Sequence, residues 1–330
     1  MRRLKILIWH IHGSYLNTLT RLDHDWYLPV RPEGGEGYGG RGWTFDWADS
    51  VREVPAGEAR ALDLDLVIYQ TPRNYFQDGP AILSEAQRRL PAIYLEHNTP
   101  RPSPIETRHP FDAPDGLLVH VTRYNRLMWD NGATPTTVIE HGVALGSALR
   151  ATGELARGIT VCNMMQRRPR IAGHDLFLAA RKCVPLDAAG METEQFGGLG
   201  DIPYRHLHRT MARYRFLFSP MRYTSLPLAV VEGMALGLPV VALPTTEIPT
   251  VIENGVSGYL SCDPDELIAR MRELAANREL ARKLGKCART VARERFGMER
   301  FARDWKAAFA QALDLRPRRA ARTAQQAARV

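Results

Sequence analysis

Short apolar runs bounded by polar residues recur along the chain, separated by segments whose apolar positions repeat every three to four residues. Residues 5–9 read as a buried strand, and further strands are predicted at 64–69, 92–95, 116–121 and 136–139. Helices are predicted at 81–90 and at 122–131, the second stopping before Gly132. The glycine-dense segment 31–43 lacks the strand–turn–helix setting of a dinucleotide fingerprint and reads as a mobile connector. A weakly patterned stretch after Gly142, reaching Gly158, reads as a linker. The pattern then restarts, with strands at 159–163, 194–196, 215–218 and 239–243. Helices are expected at 174–183, 204–214, 228–236, 264–277, 278–296 and 298–313.

Strands alternating with helices imply parallel sheets covered on both faces. Two such halves in succession imply an α/β protein of two doubly wound domains facing each other across a cleft, with ligands at the carboxyl ends of the strands. The expected division is 1–145, joined by the last helix at about 298–315, then 156–297, then a disordered basic tail at 316–330.

Composition narrows the class. The 330 residues are 45% hydrophobic and 24% charged, which excludes global disorder. No apolar run approaches the roughly 18 residues of a membrane span, and the apolar run after Arg2 and Arg3 is too short for a secretory signal. A cytoplasmic location is expected. The cysteines, Cys162, Cys183, Cys262 and Cys287, lie too far apart for a zinc module or a disulfide framework. Net charge is +8, and the excess is nearly all arginine, much of it after Leu315. That tail suggests peripheral contact with an anionic inner membrane face. The arginines do not alternate with aromatics on one element, which argues against a nucleic-acid partner.

The most informative stretch runs from Ser219-Pro220 to Ala242. A strand ends, a loop follows, and a helix is expected near Ser225, with Ser225 as its N-cap and Pro227 in its first turn. Gly237 stops the helix and Pro239 leads into the next strand. A helix N-terminus at the carboxyl end of a parallel sheet suits a diphosphate. Glu232 stands among apolar neighbours, where a carboxylate is costly unless it accepts hydrogen bonds. Ligand hydroxyls such as those of a ribose would satisfy it; the alternative is a partner inside the fold.

The run Glu232-Gly233-Met234-Ala235-Leu236-Gly237-Leu238-Pro239-Val240-Val241-Ala242 and the later Ile248-Pro249-Thr250-Val251-Ile252-Glu253-Asn254-Gly255 resemble the nucleotide-sugar site of GT-B glycosyltransferases, specifically the retaining family 4, or group 1, type. Ala92 to Pro100, Thr137 to Val143 and Met165 to Asp175 extend the likeness with less detail. The resemblance implies a metal-independent, retaining glycosyltransferase without a cofactor, using a nucleotide-diphosphate sugar. Its acceptor would be a glycan, a lipid-linked sugar or a small molecule bearing a hydroxyl. Arg167, Arg170 and the backbone at Thr224, Ser225 and Leu226 would then hold the donor phosphates, Glu232 the ribose, and His97 the sugar or acceptor.

Several positions depart from the family pattern. The first glutamate of its pair falls at Thr224, and its phosphate-binding lysine at Ala172, with Arg168 or Arg170 as replacements for the lost charge. A catalytically silent sugar- or nucleotide-binding protein is therefore the second reading, and a GT-B epimerase or phosphorylase the third. His12 and Gly13 are expected to line the cleft; His10 and His12 could also be read as a metal pair, though no third ligand stands at suitable spacing. Arg108 and His109 are expected on the acceptor side, and His141 at the hinge, facing the cleft.

Overall fold

The computed structural model describes residues 2–146 and 148–327, with side chains described as far as Leu315. The expected basic tail, 316–330, lies outside the residues described with side chains. The chain forms two compact units: one runs from the N-terminus to Glu140 and is rejoined from Glu299 onward, and the other is His141–Met298.

The first unit contains β1 (Lys5–Ile8), α1 (Gly13–Leu19), β2 (Asp25–Val30), β3 (Val51–Pro55), β4 (Leu66–Tyr69), α2 (Gly79–Ile82), β5 (Ala92–Glu96), β6 (Leu117–His120), α3 (Arg123–Met128) and β7 (Thr136–Val138). Its seven strands are all parallel, in the order β3-β2-β1-β4-β5-β6-β7. Strands β4 and β6 are buried at every residue, as the apolar run of β4 and the Leu117–Val119 run of β6 require, with His120 buried at the end of β6. Strands β2 and β3 were not expected. Pro29 interrupts the β2 pattern, and β3 is an edge strand with exposed Arg52 and Glu53. The sequence pattern at 81–90 does not form one helix. Ser84 and Gln87 exchange side-chain-to-backbone hydrogen bonds, and buried Gln87 donates to the carbonyls of Ala59 and Leu62, which turns the chain there. Segment 31–43 is anchored: Tyr38 is buried, and the guanidinium of Arg31 stacks 3.8 Å over its ring.

The second unit contains β8 (Leu155–Val161), α4 (Pro169–Ala172), α5 (His174–Arg181), β9 (Leu186–Ala189), α6 (Tyr204–Met211), β10 (Tyr214–Ser219), α7 (Leu228–Leu236), β11 (Val240–Ala242), α8 (Ile248–Val251), β12 (Gly258–Leu260), α9 (Pro264–Ala276) and α10 (Arg278–Phe296). Its five strands, also parallel, run β12-β11-β10-β8-β9. Strand β8 begins inside the stretch read as a linker. The strand expected at 194–196 is a 3-10 turn, Thr193–Phe196, and β9 takes its place. Its Leu-Asp-Ala-Ala carries little apolar bulk, and Asp187 accepts from the Tyr214 hydroxyl at 2.8 Å. Helix α11 (Met298–Ala327) belongs to the first unit from Glu299 on: Phe301, Trp305 and Phe309 are fully buried there, and Trp305 donates to Tyr15.

Candidate functional site

In an open parallel sheet, the crevice lies where successive connections leave for opposite faces. In the second unit that point falls between β8 and β10, which are neighbours although β9 intervenes in sequence. A cavity of about 220 Å³ opens there, at the carboxyl end of β8 and the head of α7. Arg168, Ala172, Thr224, Leu228 and Ala229 are among its lining residues. The first N–H groups of a helix have no partner inside it, so the start of α7 offers donors and partial positive charge at this cavity. Arg168 supplies a full charge, and among the described residues it has no carboxylate partner.

The walls are fixed by close backbone approach. Gly173 has φ +73°, and a Cβ there would lie 2.0 Å from the Pro220 carbonyl oxygen. Only glycine lets the 168–173 segment lie against the loop leaving β10. Arg222 reinforces the junction: its N–H donates to the Ile171 carbonyl, and its guanidinium binds both carboxylate oxygens of Asp175 at 2.7 and 2.8 Å. Arg222 holds the Asp175 carboxyl down to about 2. Cys162 also lines the cavity, and burial pushes its thiol up to about 11, so it stays protonated and inert.

Several expected donor contacts are corrected. Helix α7 starts at Leu228 with Pro227 as its cap residue and no side-chain cap bond, so Ser225 is not the N-cap. Ser225 and Leu226 are buried in the preceding loop, and their carbonyls accept from Thr246 Oγ1 and His141 Nε2. Only Thr224 of that trio lines the cavity. Arg167 and Arg170 are exposed and committed elsewhere, Arg167 by a two-pronged contact with Glu192 and Arg170 to Asp175 at 2.6 Å. The cavity takes Arg168 between them because the backbone turns there, from a 3-10 turn into α4.

Glu232 does not line the cavity either. It is 3% exposed, and its Oε1 accepts from the Tyr204 hydroxyl at 2.7 Å. His208 Nε2 stands 3.3 Å from the same oxygen, outside hydrogen-bond alignment. The carboxylate has its partner inside the unit, from helix α6. Sequence reasoning missed Tyr204 and His208, whose four-residue spacing puts both on one face of α6.

In the first unit the corresponding crossover point is between β1 and β4. His12 follows β1 as the residue capping α1, Gln70 follows β4, and His97 follows β5. The structure brings these together: the His12 and His97 rings are 4.0 Å apart, and His97 Nε2 lies 3.2 Å from Gln70 Oε1. Buried Gln70 donates its amide to the Trp9 carbonyl at 2.6 Å, which aims Oε1 at His97. Gln70 had no motif to reveal it. His10 does not join His12; its Nδ1 meets the Gly40 carbonyl beside Phe45 and Trp47. Gly13 is covered rather than open, since a Cβ on it would lie 2.6 Å from the Phe45 ring.

Three further expectations are corrected. Arg108 is an exposed partner of Asp112. The His109 ring is fully buried: Phe111 N–H donates to its Nδ1 at 3.0 Å, so Nε2 carries the proton and donates to Glu96 at 3.0 Å. That is a core polar pair, not an acceptor contact. His141 is buried in the second unit, where Nε2 donates to the Leu226 carbonyl at 2.9 Å and braces the loop ahead of α7.

Known proteins resemble this chain in sequence and in fold. Residues 158–277 match the family model Glycosyl transferases group 1. Spore coat protein SA of Bacillus subtilis (strain 168) is 38% identical over 81 residues, which cover 23% of this chain and 22% of that protein. Sucrose-phosphate synthase from Thermosynechococcus elongatus superposes with a TM-score of 0.70 at 15% identity, over 94% of this chain and 99% of that one. HepE from Anabaena, in complex with UDP-glucose, gives a TM-score of 0.68 at 15% identity, over 93% and 100%. The fold is GT-B, and the chain resembles the group 1 glycosyltransferases.

Proposed function

We propose that this chain is a glycosyltransferase that moves a sugar from a nucleotide-diphosphate donor to a hydroxyl acceptor. The observation that carries the reading is the cavity at the head of α7, which combines a helix N-terminus with Arg168 inside the segment matching the group 1 model. Departure of a nucleoside diphosphate concentrates negative charge on the leaving oxygen. Prearranged positive groups stabilise that charge most when little rearrangement is needed. Arg168 and the first amides of α7 are assigned that role, and Thr224 a contact to the donor. The resemblance supports retention of configuration and catalysis without a metal. His97, positioned by Gln70 and His12, is assigned to the sugar or acceptor. The acceptor class is a glycan, a lipid-linked sugar or a small metabolite, and contact with a membrane face through the basic tail belongs to the same proposal. Glu232 is no longer assigned to the ribose, because Tyr204 holds it.

A second reading, a binding protein without turnover, is favoured by specific observations. Thr224 and Ala172 lack the charges of the family pattern, and Arg167 and Arg170 are paired away from the cavity. One experiment separates the two. Thermal stability is screened against UDP, GDP, ADP and dTDP sugars, where a ligand at 100 times its Kd adds roughly 2.7 kcal/mol. Release of free sugar or transfer to acceptor is then followed for the stabilising donor. Turnover abolished by Arg168→Ala supports the transferase; stabilisation without turnover supports the binding protein; no stabilisation by any donor overturns both.

A further inference from the structure

The second unit holds another and larger cavity, of about 590 Å³, at the opposite end of its sheet. Ala151 and Gly153, which precede β8, and Tyr214, which opens β10, line it together with Leu236 and Gly237 at the tail of α7. It therefore lies at the amino ends of the strands, whereas the candidate donor cavity lies at the carboxyl end of β8. Eight of its lining residues are arginine or lysine, and Glu279 is the single carboxylate among them. Six of the cations come from α10: Lys283, and Arg278, Arg282, Lys286, Arg289 and Arg293, these five at spacings of four, four, three and four. Those spacings stack them on one helix face, where neighbouring like charges oppose helix formation. Arg150 and Arg215 add charge from outside that helix.

Elsewhere on this unit, several arginines find carboxylates: Arg213 binds Glu154, Arg270 binds Glu273, Arg167 binds Glu192 and Arg170 binds Asp175. Around the cavity, among the described residues, Arg150, Arg215, Arg278, Arg282, Lys286 and Arg293 have no carboxylate within ion-pair distance. Two of them are held by neutral carbonyls. Arg278 donates to the Thr152 carbonyl at 2.6 and 3.2 Å, and Arg215 to those of Gly153 and Ala275. A carbonyl orients a guanidinium without cancelling its charge. Arg289 shows the crowding: burial, then the nearby Arg150 and Arg293, lower its pKa. The tail of α7 accounts for little of this, since a helix C-terminus carries only about half a negative charge.

We propose that this cavity is an anion site, separate from the donor cavity, for a ligand bearing several phosphate groups. Arginine forks suit phosphate oxygens, and a multiply charged ligand can balance the charge of the six cations that have no carboxylate partner among the described residues. The phosphates can belong to a soluble oligophosphate or to a phospholipid headgroup.

Inorganic tripolyphosphate, titrated into the full chain at low salt, is the probe, because such contacts weaken as ionic strength rises. An Arg168→Gln background removes the charge of the donor cavity. One variant is Arg282→Gln/Lys286→Gln, both exposed, so that the fold is not threatened. Its control is Arg21→Gln/Arg88→Gln, which removes the same net charge from the other unit. The proposal expects at least tenfold weaker tripolyphosphate binding in the α10 variant and unchanged binding in the control. Equal loss in both, or no loss in the α10 variant, overturns it. A second arm sediments the proteins with phosphatidylglycerol or phosphatidylcholine vesicles. Sedimentation with phosphatidylglycerol alone, lost in the α10 variant, assigns a headgroup. Tripolyphosphate binding without sedimentation assigns a soluble ligand. Donor binding by the α10 variant carrying Arg168 is measured separately, so failure of the glycosyltransferase reading leaves this result standing.

Discussion

Tyr204→Phe is the sharpest test of where Glu232 spends its charge. The substitution removes one oxygen and keeps the ring, which packs edge-on to His208 with centroids 4.8 Å apart. The lost bond is a 2.7 Å contact from a hydroxyl to a carboxylate that is 3% exposed. Hydrogen bonds to charged groups contribute about 1.5–3 kcal/mol, and removing one partner leaves the buried oxygen undersolvated. Tyr204 is only half-buried, so water can reach part of the gap, and the expected loss is about 2 kcal/mol. For a unit of this size, each kcal/mol moves the midpoint by roughly 2–4 °C, so calorimetry should show a fall of about 4–8 °C. Glu232→Gln, made alone and together with Tyr204→Phe, completes a cycle whose coupling should exceed about 0.5 kcal/mol. A shift under about 1 °C with no coupling would mean that Tyr204 does not hold the carboxylate in solution, and the ribose role for Glu232 would return.

Other outcomes follow from the same structure. Arg168→Gln should weaken binding of the stabilising nucleotide-diphosphate sugar at least tenfold by titration calorimetry, the loss of about 1.5 kcal/mol or more in charge-assisted bonding; Arg167→Gln and Arg170→Gln should stay within about threefold, since both are already paired on the surface. Gly173→Ala should destabilise the second unit and weaken donor binding together, because its Cβ meets the Pro220 backbone rather than a movable side chain; unchanged melting would refute the close approach. His120, held neutral by burial with its pKa lowered to about 3, donates from Nε2 to Asn131 Oδ1 at 2.7 Å. The unfolded chain takes up that proton below about 6.5 and the folded one does not, so stability is full above pH 6.5 and falls as pH drops toward 3. His120→Gln should flatten that acid limb in denaturant titrations between pH 7 and 4, and an unchanged slope would assign the acid sensitivity to other groups.

Much of the architecture was legible from local pattern. The apolar runs of β4 and of β6 up to Val119 announce a sheet buried on both faces, and the pattern placed α10 and the end of α7 at Gly237 where they occur. The motif from Ser219 to Ala242 pointed to the head of α7, where the candidate cavity opens, since a strand–loop–helix of a parallel sheet starts its helix at the sheet's carboxyl end. Edge strands β3 and β9 were not legible, because a strand covered on one side or built from small residues carries too little apolar bulk to stand out.

Individual side chains at the site were decided by tertiary structure. Arg167, Arg168 and Arg170 are equivalent in sequence, and only the turn into α4 and the positions of Glu192 and Asp175 leave Arg168 at the cavity. Glu232 looked like a ligand contact because a buried carboxylate needs a partner; that partner, Tyr204, lies 28 residues away on another helix. The need for a hydrogen bond is a property of the residue, and sequence carries it. Which group meets the need depends on elements brought together across the fold, and no local spacing encodes that.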